Sequence, residues 1–264
     1  MTTTTTTETI TCPCGSTFDR EILDGWVQRF IPEQTLCDSC QEAADLEHDR
    51  QSEEADRLRE KEKTTAAKRR TIALVAEATP ARYRATDLSH PGFNRALWNR
   101  LKDWQPTPEK PWLGLVGATG TCKTRIAYLL AAAYLEEITS SCYSPSFALT
   151  TAYDIALAVT EQYGNRQFAT RSLCDDTPAD AARGTLRRIR VADLVLIDDL
   201  GKGRFTPAVA GEFFGIIDHR HAHGLAMIWT SNSAPQEVAT GLPQDMAGAF
   251  AGRLVECSRL IQIS

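Results

Sequence analysis

From Ala81 onward the apolar residues fall into short unbroken blocks separated by stretches of helical spacing. The blocks Trp112–Val116, Phe147–Thr150, Leu194–Ile197 and Leu225–Thr230 read as strands covered on both faces. Between them lie a helix beginning at Lys123 and helical patterns near Asp154–Gln162 and Ala208–His219. Buried strands alternating with helices predict an α/β domain, a parallel sheet flanked by helices. The N-terminal third is different. Two cysteine pairs surround an amphipathic stretch, and Gln41 to Arg70 is then densely charged with mixed sign and almost no aromatics. Glutamates and arginines spaced four apart suit an exposed connecting helix. The pattern divides the chain into a leader and cysteine module (1–44), a charged helical linker (45–78) and the α/β domain (79–264). It contains no internal repeat.

Composition narrows this picture. At 264 residues, 42% hydrophobic and 24% charged, the chain has the make-up of an ordinary globular protein. Its longest apolar run, Ile126 to Leu135, is too short for a bilayer span. The opening MTTTTTTETITC has neither the basic nor the apolar region of a secretory signal, so a disordered leader and a cytoplasmic location are expected. In that reducing compartment eight cysteines argue for metal where they cluster. The net charge of −5 gives no overall attraction to nucleic acid, so any contact must come from local basic patches.

The chemistry begins at WLGLVGATGTCKT, residues 112–124, where an apolar strand enters a Gly-rich turn and Lys123-Thr124 opens an Ala/Leu-rich helix. This is the context of a phosphate-binding Walker A loop. Backbone N–H groups across Gly117, Ala118, Thr119, Gly120, Thr121, Cys122 and Lys123 can wrap a β-phosphate at the positive end of the helix. Lys123 can neutralise β/γ oxygens, and Thr124 can hold Mg²⁺. Cys122 departs from the pattern, standing where its last glycine belongs, and its thiol is expected to make nucleotide binding sensitive to alkylation.

ADLVLIDDLG, residues 192–201, delivers Asp198 and Asp199 at the end of a buried strand, the edge where open α/β sheets bind ligands. Asp198 is the Mg²⁺ candidate through its water shell, and Asp199 occupies the place of the residue that polarises attacking water. The alternative is that the pair only caps the next turn. LAMIWTSN, residues 225–232, ends in Asn232, whose amide either orients that water or closes an Asx turn. Arg253 in AFAGRLVECSRLIQI is either an arginine finger, worth about 10³ to 10⁵ in rate when supplied by a neighbouring subunit, or a surface or salt-bridged arginine.

GATGTCKT, LVLIDDLG, FFGIIDHR, IWTSN and GRLVECSRL, in this order, resemble the DnaC-type helicase loaders and the related IstB-type transposition helper ATPases over about residues 80 to 264. The resemblance implies a P-loop AAA+ core that binds ATP between subunits and grips single-stranded DNA, without a C-terminal helical lid. It implies that Arg253 acts in trans, with Arg220 a weaker interface candidate. Asp199 stands where fast relatives carry glutamate. Its carboxylate is one methylene shorter, so slow hydrolysis is expected, with ATP acting chiefly as an assembly switch.

Cys12-x-Cys14 and Cys37-x₂-Cys40 supply four thiolates in two close pairs, for which tetrahedral Zn²⁺ is the natural occupant. His48 is an alternative ligand. Such a site is structural, since a segment this short has little core of its own. Arg183, Arg187 and Arg190 fall on one face of a helix, with Arg188 beside them and Leu186 and Ile189 turned inward. The stripe suits backbone phosphates, or is simply solvated. Lys202 and Arg204, directly after the acidic strand, either join the same path or sense the nucleotide. Three functions follow: a phage- or prophage-type loader delivering a replicative helicase to single strands, a helper ATPase that recruits a transposase on duplex DNA, or a nucleotide-switched module whose zinc domain does the recognising.

Overall fold

The computed structural model describes residues 5–23, 35–164, 178–201 and 205–263. The chain divides into two compact units, residues 1–62 and 63–264.

In the first unit β1 (Thr5–Thr11) pairs antiparallel with β2 (Thr17–Leu23). Gly15 adopts φ +95° in the connecting turn, a conformation open to glycine at little cost. The helix α1 (Asp38–Ala78) starts one residue after Cys37 and carries Cys40 in its first turn. It runs without a break past residue 44, where the sequence pattern changes from cysteine module to charged linker. Its exposed surface bears ion pairs at helical spacing, Arg50–Glu47 and Arg57–Glu53 among them. Surface pairs of this kind contribute at most about 0.5 kcal/mol each.

Within the second unit, the last turns of α1 bury Thr71 and Val75, and the Thr139 hydroxyl donates to Thr71 Oγ1 at 3.1 Å. The short helices α2 (Ala81–Arg84) and α3 (Arg95–Leu101) follow, the latter capped by Asn94, whose side chain accepts from the Leu97 N–H. The sheet then builds through β3 (Trp112–Gly117), α4 (Lys123–Ile138), β4 (Phe147–Thr151), α5 (Ala152–Gly164), α6 (Pro178–Val191), β5 (Leu194–Asp198), α7 (Pro207–Ala222), β6 (Ala226–Ser231), α8 (Pro235–Ala239), α9 (Gln244–Cys257) and β7 (Ser258–Ile263). Five strands, all parallel, lie in the order β4-β5-β6-β3-β7.

Alternate residues of each strand feed opposite faces. Leu194 and Leu196 join Ile126, Leu130 and Leu135 of α4 in one core, while Val195 and Ile197 join Ile155, Phe213 and Phe250 in the other. Each such side chain contributes roughly 1.5–3 kcal/mol on burial. The P-loop α/β architecture expected from the sequence is therefore present, including the small cysteine-bearing unit before it.

This order also fixes where chemistry can occur. From β3 the chain crosses to the far edge and returns through β5 and β6, so the C-terminal ends of β3, β5 and β6 frame a crevice at the point where the order reverses. Ligand-binding groups in such sheets lie there. Gly117, Asp198 and Ser231 are the last residues of these strands.

Arg220 is a correction to the reading of the α7 segment. It is 0% exposed, and its guanidinium donates to the carbonyls of Ile189 (3.1 Å), Arg190 (3.3 Å), Ala192 (2.8 Å) and Ala226. It satisfies the otherwise orphaned carbonyls at the end of α6 and ties them to β6. A group sealed in this way cannot reach another subunit. Burial lowers its pKa to about 10.

Candidate functional site

The loop after β3 is shaped by close backbone approach. A Cβ on Gly117 would lie 2.2 Å from the Ile263 carbonyl oxygen, so only glycine permits the loop to leave the sheet beside β7. Gly120 takes φ +90° and Cys122 φ +66°. The latter costs a non-glycine residue about 1–2 kcal/mol. Cys122 occupies the N-cap of α4, and its thiol donates to the Gly92 carbonyl at 3.2 Å.

Lys123 is only 6% exposed, and its ammonium donates to the carbonyls of Gly117 (2.6 Å) and Ala118 (2.7 Å). These bonds hold the cation at the centre of the loop, at the positive end of α4. Facing it, Asp198 is also 6% exposed, and its Oδ1 accepts from Thr124 Oγ1 at 2.8 Å and from Thr230 Oγ1 at 2.5 Å. A hydroxyl and a carboxylate oxygen at this separation are hard ligands suited to Mg²⁺, held directly or through water. The donor set therefore fits that ion.

Thr230 was not singled out in the sequence. It is 0% exposed and uses its hydroxyl twice, donating to Asp198 and accepting from the Asp199 N–H at 3.0 Å. Its carbonyl accepts from the Leu200 N–H at 2.7 Å. The register explains the contact: Ile197 lies opposite Trp229, so Asp198 and Thr230 come next, side by side. The available signal was a polar β-branched residue near the end of an otherwise apolar strand. Pinned in this way, Asp199 adopts φ +56°, a conformation costing about 1–3 kcal/mol and concentrated at functional sites.

Thr119 to Thr124, Asp199 and Asn232 line a cavity of about 340 Å³, closed on another side by Arg82 and Tyr83 of α2 and by Arg125. The Tyr83 ring stacks on Tyr128 at 5.4 Å, with the guanidinium carbons of Arg82 and Arg125 lying 5.1 and 5.7 Å from its centroid. A second cavity of about 380 Å³, lined by Asp87, His90 and Phe93 among others, adjoins the first through Gly120, Cys122 and Arg125. Sequence reasoning missed the whole 82–93 contribution, because nothing in its spacing marks it as part of a site formed thirty residues later.

Other candidates lie apart. Arg253 pairs with Asp218 at 2.5 Å, lies 4.8 Å from the Phe214 ring centroid, and does not line the phosphate-loop cavity. On α6, Leu186 and Ile189 are buried as expected, while Arg187 and Arg188 are exposed. Arg183 pairs with Asp180, and Arg190 pairs with Glu212 at 2.6 Å, so the basic stripe is partly neutralised. Lys202 and Arg204 lie outside the described residues.

In the first unit the sulfurs of Cys12, Cys14, Cys37 and Cys40 all lie within 4.8 Å of one another. The turn between β1 and β2 is closed by the Cys12 N–H on the Ser16 carbonyl and the Gly15 N–H on the Cys12 carbonyl, both at 2.8 Å. Cys12 is buried, and Cys14 Sγ is 3.7 Å from Cys37 Sγ. Hydrogen bonds from Ser16 and Ser39 draw the Cys37 thiol down to about 5, whereas sharing with Cys37 pushes Cys40 up to about 12. Four convergent sulfurs, one readily ionised, fit tetrahedral Zn²⁺. His48 is not one of the converging groups.

No protein-family model matches the sequence, and no curated protein matches it. Among solved structures, the chain is similar to AMPPCP-bound DnaA from Aquifex aeolicus (18% identity, TM-score 0.47, covering 67% of this chain and 48% of that one). It is also similar to DnaI (20%, TM-score 0.48, 73% and 94%) and to the DnaC helicase loader (19%, TM-score 0.48, 70% and 100%). The chain thus spans about half the length of the DnaA structure. Among the described residues no helix is long and apolar enough to cross a membrane.

Proposed function

We propose that residues 79–264 form an AAA+ ATPase, a DnaC-like helicase loader that uses ATP binding and slow hydrolysis to engage single-stranded DNA and a replicative helicase. The observation that carries the nucleotide part is the meeting of Lys123, Thr124 and Asp198 across the crevice, with Thr230 securing the carboxylate. In this reading the loop N–H groups from Ala118 to Lys123 hold the β-phosphate, and Lys123 exchanges loop carbonyls for phosphate oxygens. Thr124 and Asp198 hold Mg²⁺, which supplies charge neutralisation at the phosphates. Asp199 and Asn232, both at the cavity wall, orient water toward the γ-phosphate. The loader role rests on the order of the motifs, and the exposed Arg187 and Arg188 offer phosphate contacts without base reading. The four cysteines hold a structural Zn²⁺ that fixes the hairpin to the start of α1.

Arg253 supplies its finger to a neighbouring subunit after releasing Asp218. The test is ATP turnover at several protein concentrations. Specific activity should rise with concentration, and Arg253→Ala should bind ATP normally while losing at least about tenfold in turnover. Normal turnover in that variant, or a flat concentration dependence, overturns the trans role. Binding to a replicative helicase and single strands supports the loader reading, whereas preference for duplex DNA and a transposase favours the helper ATPase.

A further inference from the structure

The segment ahead of the P-loop strand splits between the two adjoining cavities. Arg82 and Tyr83 line the one that also contains Lys123, Asp199 and Asn232, whereas Ala85, Asp87, His90, Gly92 and Phe93 line the other. Asp199 and Asn232 follow the ends of β5 and β6 and share the first cavity with Lys123 and Thr124, so that cavity is the polyphosphate end of the crevice, and the second, without any of these groups, is left for the base. Arg82 therefore belongs with the phosphates.

Charge supports this partition. The first cavity is lined by three cations, Arg82, Lys123 and Arg125, against one carboxylate, Asp199. Asp198, just beneath, faces Thr124 and the Mg²⁺ position. Arg82 is exposed and forms no ion pair among the described residues; its recorded contact is with the face of Tyr83, which itself stacks on Tyr128 of α4. The aromatic pair ties α2 to the phosphate-loop helix and gives the arginine a fixed base. A guanidinium over a tyrosine keeps its N–H edge available, and that planar edge matches phosphate oxygens in pairs.

We infer that Arg82 is a nucleotide-sensing residue that contacts the terminal phosphate of a nucleoside triphosphate from within the same chain, so that the site distinguishes triphosphate from diphosphate. The inference rests on the nucleotide-binding reading above and adds to it the group that reads phosphate number. Lys123 reaches the β-phosphate that both nucleotides carry as well as the γ, whereas Arg82, which shares its cavity with Asp199 and Asn232, is assigned to the third phosphate alone.

The experiment titrates fluorescent N-methylanthraniloyl ATP and ADP, with Mg²⁺, into the wild-type chain, Arg82→Ala and Arg82→Lys, with thermal unfolding as a control for folding. Arg82→Ala should raise the Kd for the ATP analogue about tenfold or more while changing that for ADP less than about threefold, at an unchanged Tm. Arg82→Lys should recover part of the discrimination, since a point charge replaces the planar fork. Equal weakening of both nucleotides places Arg82 at the base or inner phosphates and overturns the inference, and so does no change in either. A wild-type chain that binds neither nucleotide refutes the underlying nucleotide reading, a failure visible before any variant is compared.

Discussion

Replacing Thr230 with valine keeps the shape of a fully buried side chain and removes one hydroxyl with two partners. The bond it donates to Asp198 is charge-assisted, a class contributing about 1.5–3 kcal/mol, and the Asp199 N–H it leaves unpaired costs about 1–3 kcal/mol if water cannot reach it. The turn lies beside the cavity, so water offsets part of this, and about 2–4 kcal/mol of net destabilisation is expected. For a domain of this size that corresponds to a fall in Tm of roughly 5–15 °C. The functional consequence is distinct. The Thr230 hydroxyl helps hold Asp199 at φ +56°, so losing it loosens the turn and lets the carboxylate shift from the water it would orient. A misplacement of about 1 Å costs on the order of a hundredfold in rate. Steady-state ATPase assays should show kcat reduced about tenfold to a hundredfold, with ATP affinity within about threefold of wild type because Asp198 keeps its hydrogen bond from Thr124. Thr230→Ser restores the hydroxyl and should restore most of the rate. A valine variant that loses stability yet keeps full kcat would refute the positioning argument.

Arg220→Met should destabilise the domain by about 3–5 kcal/mol in urea unfolding, because four carbonyls lose their donor in a dry interior; a loss below about 1 kcal/mol contradicts the structural assignment. Cys122→Gly removes left-handed strain but also the thiol bond to Gly92, so Tm should move little, while maleimide treatment that abolishes nucleotide binding in the wild type should spare the variant. Equal sensitivity of both proteins excludes Cys122 as the responsive thiol. Removing zinc with a strong chelator should release one metal per chain and unfold the β1–β2 hairpin by circular dichroism, leaving ATP binding within about twofold; a preparation with no bound metal contradicts the four-thiolate site.

Where the sequence was informative, the signal was local. The 194–198 block announced a buried strand with a carboxylate at its end because five consecutive residues carried it, and the glycines of 117–120 announced a loop whose backbone must approach other chain closely. The cysteines were legible through spacing, although their convergence depends on the hairpin turn at Gly15 and the start of α1. Three features were hidden for one reason: they depend on which strands become neighbours. Thr230 meets Asp198 only because β6 lies beside β5 in a particular register. Arg82 reaches the cavity only because α2 packs on Tyr128 of the phosphate-loop helix. Arg220 looked like an ordinary charged residue at the end of a helix, and only the packing of α7 over α6 and β6 turned it into a buried cap.

In the proposed reading a triphosphate and its magnesium sit between the 117–124 loop and Asp198. Calorimetric titration of Mg²⁺-ATP into the wild-type chain, Lys123→Ala and Asp198→Asn tests it most directly. Saturable one-site binding to the wild type is expected, with no detectable binding to Lys123→Ala and binding to Asp198→Asn that has lost its dependence on Mg²⁺. A wild-type chain that takes up no adenine nucleotide, or a Lys123→Ala chain that binds as the wild type does, contradicts it.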